Sequence, residues 1–262
     1  VLCLADTPGD HHFWLCHRRG GGAVGMSGCE IKVVTEPTWG QLLQKALARL
    51  LGTLLFAFFT TLGVLLALYV FGSVAKAGEI TIPRAASQHK ATLTRAARVY
   101  WGLDAPVSVF AAQVHTESWW RNNTVSHVGA QGLAQFMPAT AKWLPSVMPE
   151  TGKPAPFNPA WSLKALCAYD KWLWNRVHGA TDFECMAFTL SAYNGGLGWV
   201  NRDKAKAKKL GKDDWRWFDC VENVNAGRSK AAFAENRQYP RRILKERQQA
   251  YVRAGWGPGI EP

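Results

Sequence analysis

The chain has 262 residues, 48% of them apolar and 19% charged, which excludes a disordered or collagen-like polymer and leaves room for a domain-sized core. Lys and Arg outnumber Asp and Glu by 31 to 19, a formal charge of +12 that suits an anionic polymer or surface: nucleic acid, anionic lipid or cell wall. Six Cys in this length exclude a disulfide-dense miniprotein, and thirteen Trp supply flat apolar area for cores, membrane interfaces or sugar faces.

Residues 1–49 carry no sustained period and read as a disordered cytoplasmic leader. Cys3, Cys16 and Cys29 alternate with His11, His12 and His17, but the paired C-x-x-C spacing of strong zinc motifs is missing, so no metal site is expected. Met26 opens a more natural start, and residues 1–25 read as an over-extended frame. Residues 50–75 then run 26 positions without a charge. A helix of that length spans roughly 39 Å, against about 30 Å of bilayer hydrocarbon. Lys45 and Arg49 before it favour a cytoplasmic N-terminus, with the following domain in the periplasm or wall space beyond an inner membrane. Ala75-Lys76-Ala77 would permit cleavage before Gly78, but the run far exceeds a signal-peptide core, so an uncleaved signal-anchor is expected.

Residues 78–262 hold 25 basic and 15 acidic residues, a net +10. Helix signals dominate: a period over 88–100, Pro106 opening a helix to about Trp119, Pro138 opening a third, Pro159 preceding a fourth over 160–177, and the box Thr181-Asp182-Phe183-Glu184 opening a fifth that stops at Gly195-Gly196. Asp213 or Asp214 would cap a short helix ending near Val221, and a last helix is expected over 235–254. The five Lys of 204–212 read as a solvated loop or a fraying helix end. Alternating strands are scarce, so the fold class is mostly α. Cys167, Cys185 and Cys220 allow one disulfide beyond a membrane, or serve as small apolar helix residues; both readings stay open.

Four stretches carry chemistry. In Val114–Trp120, the lone Glu117 stands among apolar side chains near a helix C-terminus, where desolvation and the helix dipole both disfavour its charge, as a general acid at neutral pH requires. In Gly129–Thr140, two Gly three apart allow a tight backbone path, Gln135 offers an amide, and Phe136 and Met137 offer an apolar wall. Ser191–Gly196 places a phenol and an amide at a helix end, and Glu235–Ile243 begins the last helix. His115 and His127 read as structural or surface residues.

In this order the four blocks resemble the lytic transglycosylase family with the SLT domain, related in fold to goose-type lysozyme. The similar part covers about residues 86–255. Glu-Ser at 117–118, GAQGLAQFMPAT at 129–140, AYNGG at 192–196 and the Tyr239 segment are similar to its motifs, and Phe157-Asn158-Pro159 fits its pattern. The resemblance implies a lysozyme-like helical domain, which the run over 50–75 precedes with one transmembrane helix. It implies Glu117 as the lone acid/base, Ser118 and Gln135 contacting sugar or peptide, and Met137 lining the cleft. Tyr193 would orient Glu117, Asn194 would bind an N-acetyl group, and Tyr239 would face the cleft. Ala134 stands where a larger Met is frequent in the family, which puts a subsite wall in doubt, and Pro240 would need to lie in the first turn of its helix.

Ordinary glycosidases use two carboxylates. From Ser118 to Pro149 the chain has neither Asp nor Glu, so a second one would have to come from Glu150, Asp170, Asp182, Glu184 or Glu235. That favours a substrate-assisted cleavage between N-acetylmuramic acid and N-acetylglucosamine, closing a 1,6-anhydro ring with neither metal nor organic cofactor. The partners expected are peptidoglycan glycan strands and, through residues 50–75, a membrane; a monomer is expected and nucleic acid is not, since no reading module is present. A phage endolysin is favoured over a bacterial enzyme of wall growth or secretion. A hydrolytic muramidase of the same fold and a non-catalytic wall-binding component are the alternatives.

Overall fold

The computed structural model describes residues 38–76 and 80–262, in two units, Val1–Ala77 and Gly78–Pro262. The Cys and His cluster of residues 3–29, the start at Met26 and the cleavage point before Gly78 lie outside the described residues.

In the first unit a single helix, α1, runs Trp39–Lys76. Residues 39–49, expected to be disordered, are helical: Gln, Leu, Lys, Ala and Arg are good helix formers, and extending a helix costs far less than nucleating one. Trp39–Leu66 has a mean hydropathy of 1.9 with none of its window buried, so it is long and apolar enough to cross a membrane. Its threonines are satisfied internally. The hydroxyls of Thr53, Thr60 and Thr61 donate to carbonyls three and four residues back, the arrangement hydrocarbon demands.

The second unit is helical throughout its regular structure, with α2 (Lys90–Trp101), α3 (Val107–Ser118), α4 (Pro138–Val147), α5 (Pro159–Trp174), α6 (Asp182–Gly195), α7 (Leu197–Lys209) and α8 (Lys230–Pro240). A π-helical turn, Arg241–Arg247, joins α8 to α9, Gln248–Arg253. Among the described residues β pairing is limited to isolated bridges of Gln131 with Val125 and Phe136.

Two helices run through the middle. On α3 every residue from Val107 to His115 is buried, and on α6 every residue from Phe183 to Ala192. Neither shows a one-sided apolar stripe because neither has a solvent side. Around them pack α2, α5, α8 and α9, closing a core that includes Phe110, Leu133, Leu166, Met186, Phe188, Trp217 and Tyr251. Both central helices end at the same cleft.

The helix starts follow their caps. The Asn158 side chain accepts from the N–H groups of Ala160 and Trp161 at the head of α5, and the Thr181 hydroxyl accepts from Glu184 N–H at the head of α6. Only half of the box at 181–184 forms. The Glu184 carboxylate turns away to accept from the backbone N–H groups of Trp217 (2.6 Å) and Phe218 (3.1 Å). Those contacts secure a loop where a helix near 213–221 was expected; only the short 3-10 turn Val221–Asn223 is helical there.

The lysine-rich stretch forms the end of α7, one of the two readings expected of it, with Lys206, Lys208 and Lys209 exposed. It is helical to Lys209, with the Lys204 ammonium held by the carbonyls of His178 and Asp214. Pro240 lies at the end of α8, not in a first turn. It cannot donate a backbone hydrogen bond, and the π-helical turn directly after it absorbs the lost register. The last helix therefore begins earlier than expected and is interrupted once.

Among the described residues Cys167, Cys185 and Cys220 form no disulfide with one another. Burial holds the Cys167 thiol well above its ordinary range and pushes Cys185 up to about 11, so both are protonated core side chains.

Candidate active site

Glu117 stands in the last turn of α3, and the helix stops there abruptly. Trp119 and Trp120 both adopt the left-handed backbone conformation, with φ of 55° and 61°. Such conformations are uncommon for bulky residues and concentrate at functional sites. Trp120 is covered completely, its indole N–H donating to the Tyr251 hydroxyl at 2.6 Å. That hydroxyl lies 3.1 Å from His115 Nδ1, and burial, aided by Arg247, lowers the His115 pKa to about 4. His115 is thus a neutral floor beneath the turn that carries Glu117, the structural role expected of it.

The cleft in front of Glu117 has a volume of about 360 Å³. Gln135, Phe136 and Met137 line one wall, and Tyr193, Asn194 and Tyr239 another. Dense surroundings push the Glu117 carboxyl up to about 8. Desolvation is the main cause, Tyr239 opposes it by hydrogen bonding, and the nearby Glu235 charge adds to it. One side of Glu117 still opens on the cleft. A half-buried carboxylic acid protonated at neutral pH is the group a general acid requires.

The side chain that orients it differs from the expectation. The hydroxyl of Tyr239 donates to Glu117 Oε1. The hydroxyl of Tyr193 instead donates to the Ala134 carbonyl at 2.7 Å, tying α6 to the glycine loop. The two phenol rings lie parallel, 5° apart in plane with centroids 6.5 Å apart, so Tyr193 backs Tyr239.

Ser118 is a second correction. It is buried, its hydroxyl donates to Val114 O at 3.3 Å, and it does not line the cleft. Consecutive helix residues point about 100° apart, so Glu117 and Ser118 cannot serve one face. Gln135 does line the cleft, but its amide donates to the carbonyls of Gly132 (2.8 Å) and Thr124 (3.2 Å), holding the loop. Gly132 is required by that loop: its φ is +75°, and a β-carbon there would sit 1.8 Å from the Pro156 carbonyl oxygen. Ala134 is buried, its N–H donating to Ser162 Oγ and its carbonyl accepting from Tyr193, so its small side chain faces the core rather than a subsite.

Asn194 is positioned through Asn236. The Asn236 amide donates to Asn194 Oδ1 (3.0 Å) and Ser191 O (2.9 Å), while its own Oδ1 accepts from Ser191 and Arg237. Gly195 permits the approach, since a β-carbon there would meet Asn236 Nδ2 at 2.6 Å. Arg237 is in turn fixed by buried Asp203, which also pairs with Arg228.

Sequence reasoning missed Thr116, Tyr169 and Arg242 as cleft residues; His127, read as a structural or surface residue, is exposed and also lines the cleft. Of the distant carboxylates, Glu235 reaches the cleft. Asp170 is wholly buried behind it, where lack of water holds its carboxyl well above the usual range; Gln113 donates to its Oδ1 at 3.4 Å. Among the described residues no three His, Cys, Asp or Glu side chains converge as metal ligands would.

Fold and cleft together define a lysozyme-like helical domain with a raised-pKa carboxyl, Glu117, opening on its cleft. Residues 100–216 match the sequence model of the Transglycosylase SLT domain. It is 31% identical over 115 residues to the membrane-bound lytic murein transglycosylase F of Maricaulis maris and 30% over 117 residues to that of Pasteurella multocida. Each match covers 44% of this chain, and the chain spans only about a quarter of those relatives: 24% and 22%. The solved structure of an inactive mutant of the lytic transglycosylase Slt from Pseudomonas aeruginosa superposes with a TM-score of 0.50 at 25% identity, covering 66% of this chain and 25% of that one.

Proposed function

We propose that this protein cleaves the β-1,4 bond between N-acetylmuramic acid and N-acetylglucosamine in peptidoglycan by a non-hydrolytic, lytic transglycosylase reaction. The observation that carries the proposal is the Glu117 carboxyl, opening on a cleft, gripped by Tyr239 and protonated at neutral pH. The names of its relatives point the same way.

The chemistry follows from those groups. Tyr239 engages Oε1, leaving Oε2 for the glycosidic oxygen. Glu117 gives its proton to that oxygen as the C1–O bond breaks, and the N-acetyl carbonyl of the muramic residue stabilises the cation left at C1. The sugar's C6 oxygen then bonds to C1 while its proton passes to the Glu117 carboxylate. A 1,6-anhydro ring closes, no water is consumed, and the acid is regenerated. The hydroxyl of Tyr239 stabilises the carboxylate between the two proton transfers. Asn194, fixed by Asn236, and Met137 contact the sugars from the walls; Gln135 and Tyr193 shape those walls.

Glu235 supports a second reading. A carboxylate in the same cleft could activate water, which would make the enzyme a muramidase. Digestion of purified sacculi with the full chain separates the two. The lytic reading predicts 1,6-anhydro ends by mass spectrometry, and reducing ends would replace it with the hydrolytic one. Absence of any cleavage by the wild type would remove both.

With α1 as a membrane anchor, the basic unit would meet the anionic wall from the membrane surface of a bacterial cell. The phage-endolysin setting then predicts that synthesis of the chain inside such a cell lyses it, and that Glu117→Gln abolishes lysis.

A further inference from the structure

Past the Thr116 edge of the cleft lies an aromatic surface that the reaction above does not use. Trp119 is 53% exposed although its backbone is held in the left-handed region. Its neighbour Trp120 offsets the same strain by complete burial and a hydrogen bond; Trp119 has no such compensation. The Trp119 ring is nevertheless firmly supported. His115 packs against it at 76°, centroids 4.7 Å apart, and the Arg247 guanidinium stands 6.0 Å from its centroid. Arg247 also donates from Nη1 to Thr116 Oγ1 at 2.8 Å, and Thr116 lines the cleft. Thr116, Arg247 and Trp119 therefore form one continuous surface leading out of the active site. The π-helical turn that ends at Arg247 is what brings the guanidinium there.

We propose that Trp119 and Arg247 form an outer glycan subsite, in which a further sugar of the strand stacks on the exposed indole face and an acidic substituent of that sugar pairs with Arg247. The inference rests on the reading that the cleft binds peptidoglycan. The occupant follows from continuity. A strand held across Glu117 must leave the cleft along one of its edges, and at this edge it meets a flat apolar ring beside a cation. A sugar's C–H face and a lactyl or stem-peptide carboxylate complement those two groups. Positive charge over the unit as a whole favours the same polymer.

The test uses the full chain in detergent with Glu117→Gln to stop turnover. Affinities are measured by calorimetry for a peptidoglycan disaccharide and for an octasaccharide, and the readout is the ratio of long-chain to short-chain affinity. Trp119→Gly suits the local φ of 55° and removes the ring without backbone strain. It should lower the ratio by about tenfold, the size of one good aromatic contact. Trp119→Tyr, which keeps an aromatic face, should retain most of the ratio. An unchanged ratio in Trp119→Gly overturns the subsite while leaving the function standing, as does a ratio unchanged alongside weakened binding to anionic vesicles, which would make Trp119 a lipid contact. Binding of neither oligosaccharide by the Glu117→Gln parent would overturn the functional reading, and the subsite with it.

Discussion

Replacing Glu117 by Gln should destroy activity and make the protein more stable, by an amount that depends on pH. The folded-state pKa is about 8 against an ordinary 4.5. Below about pH 4.5 the carboxyl holds its proton whether the chain is folded or not, and it costs nothing that varies with pH. Between those values the unfolded chain releases the proton and the folded one keeps it, so stability falls as pH rises, by up to ~1.4 kcal/mol per pH unit. Above about 8 both forms are ionised and the loss is constant. At pH 7 the crossed window of about 2.5 units would give ~3 kcal/mol; solvent on the open side of Glu117 screens part of it, leaving about 2 kcal/mol.

Gln removes that loss while keeping the volume and an oxygen to accept from Tyr239. The variant should gain about 2 kcal/mol at pH 7, or roughly 4–8 °C in Tm, and almost nothing at pH 4.5. Asp170 is present in both proteins, so burial, the main cause of its raised pKa, acts equally in each; the smaller push from the Glu117 charge is lost in the variant and adds to its gain at high pH. Tryptophan fluorescence during thermal unfolding of the full chain in detergent, from pH 4 to pH 9, reads the difference. A gain that does not change with pH, or a wild type more stable than the variant at pH 8, would refute the claim that a carboxyl is kept neutral there at the expense of stability.

Tyr239→Phe removes the donor to Glu117. Losing a hydrogen bond to a charged group costs about 1.5–3 kcal/mol, so the alkaline fall of the pH–rate profile, set by Glu117 near 8, should move up by about one to two units while the plateau rate drops. A limb that stays in place or moves down counts against the assignment. Asp170→Asn mimics the protonated carboxyl and should change stability at pH 5 by no more than ~1 kcal/mol, whereas Asp170→Leu strands the Gln113 amide and should cost ~1–3 kcal/mol in urea unfolding. If Asp170 were charged, Asn would instead shift the pH–rate profile downward. Gly132→Ala forces a β-carbon against the Pro156 carbonyl in a left-handed backbone. It should lower the urea midpoint and cut sugar binding together, and a normal midpoint would show that the loop yields freely.

What the sequence made legible is what local patterning controls. Glu117 sits among apolar neighbours near the end of one short helix, and the direction of its pKa displacement was expected on that ground. The helix starts at Pro138, Pro159 and Thr181 depend on residues within one turn of them. The choice between Tyr193 and Tyr239 depends on something else. Both phenols reach the cleft with parallel rings, and only the packing of α8 on α6 and of the π-helical turn on α3 decides which hydroxyl meets the acid. Glu235 teaches the same point from the other side. The absence of acidic residues over 118–149 was a fact about chain distance, and α8 carries a carboxylate into the cleft from more than a hundred residues away. Ser118 differs, because its exclusion was legible in principle: a residue adjacent to Glu117 on a helix points about 100° around from it, and a shared motif does not alter that angle. Motif resemblance therefore located the cleft, but the division of labour inside it follows from helix geometry and from which helices touch.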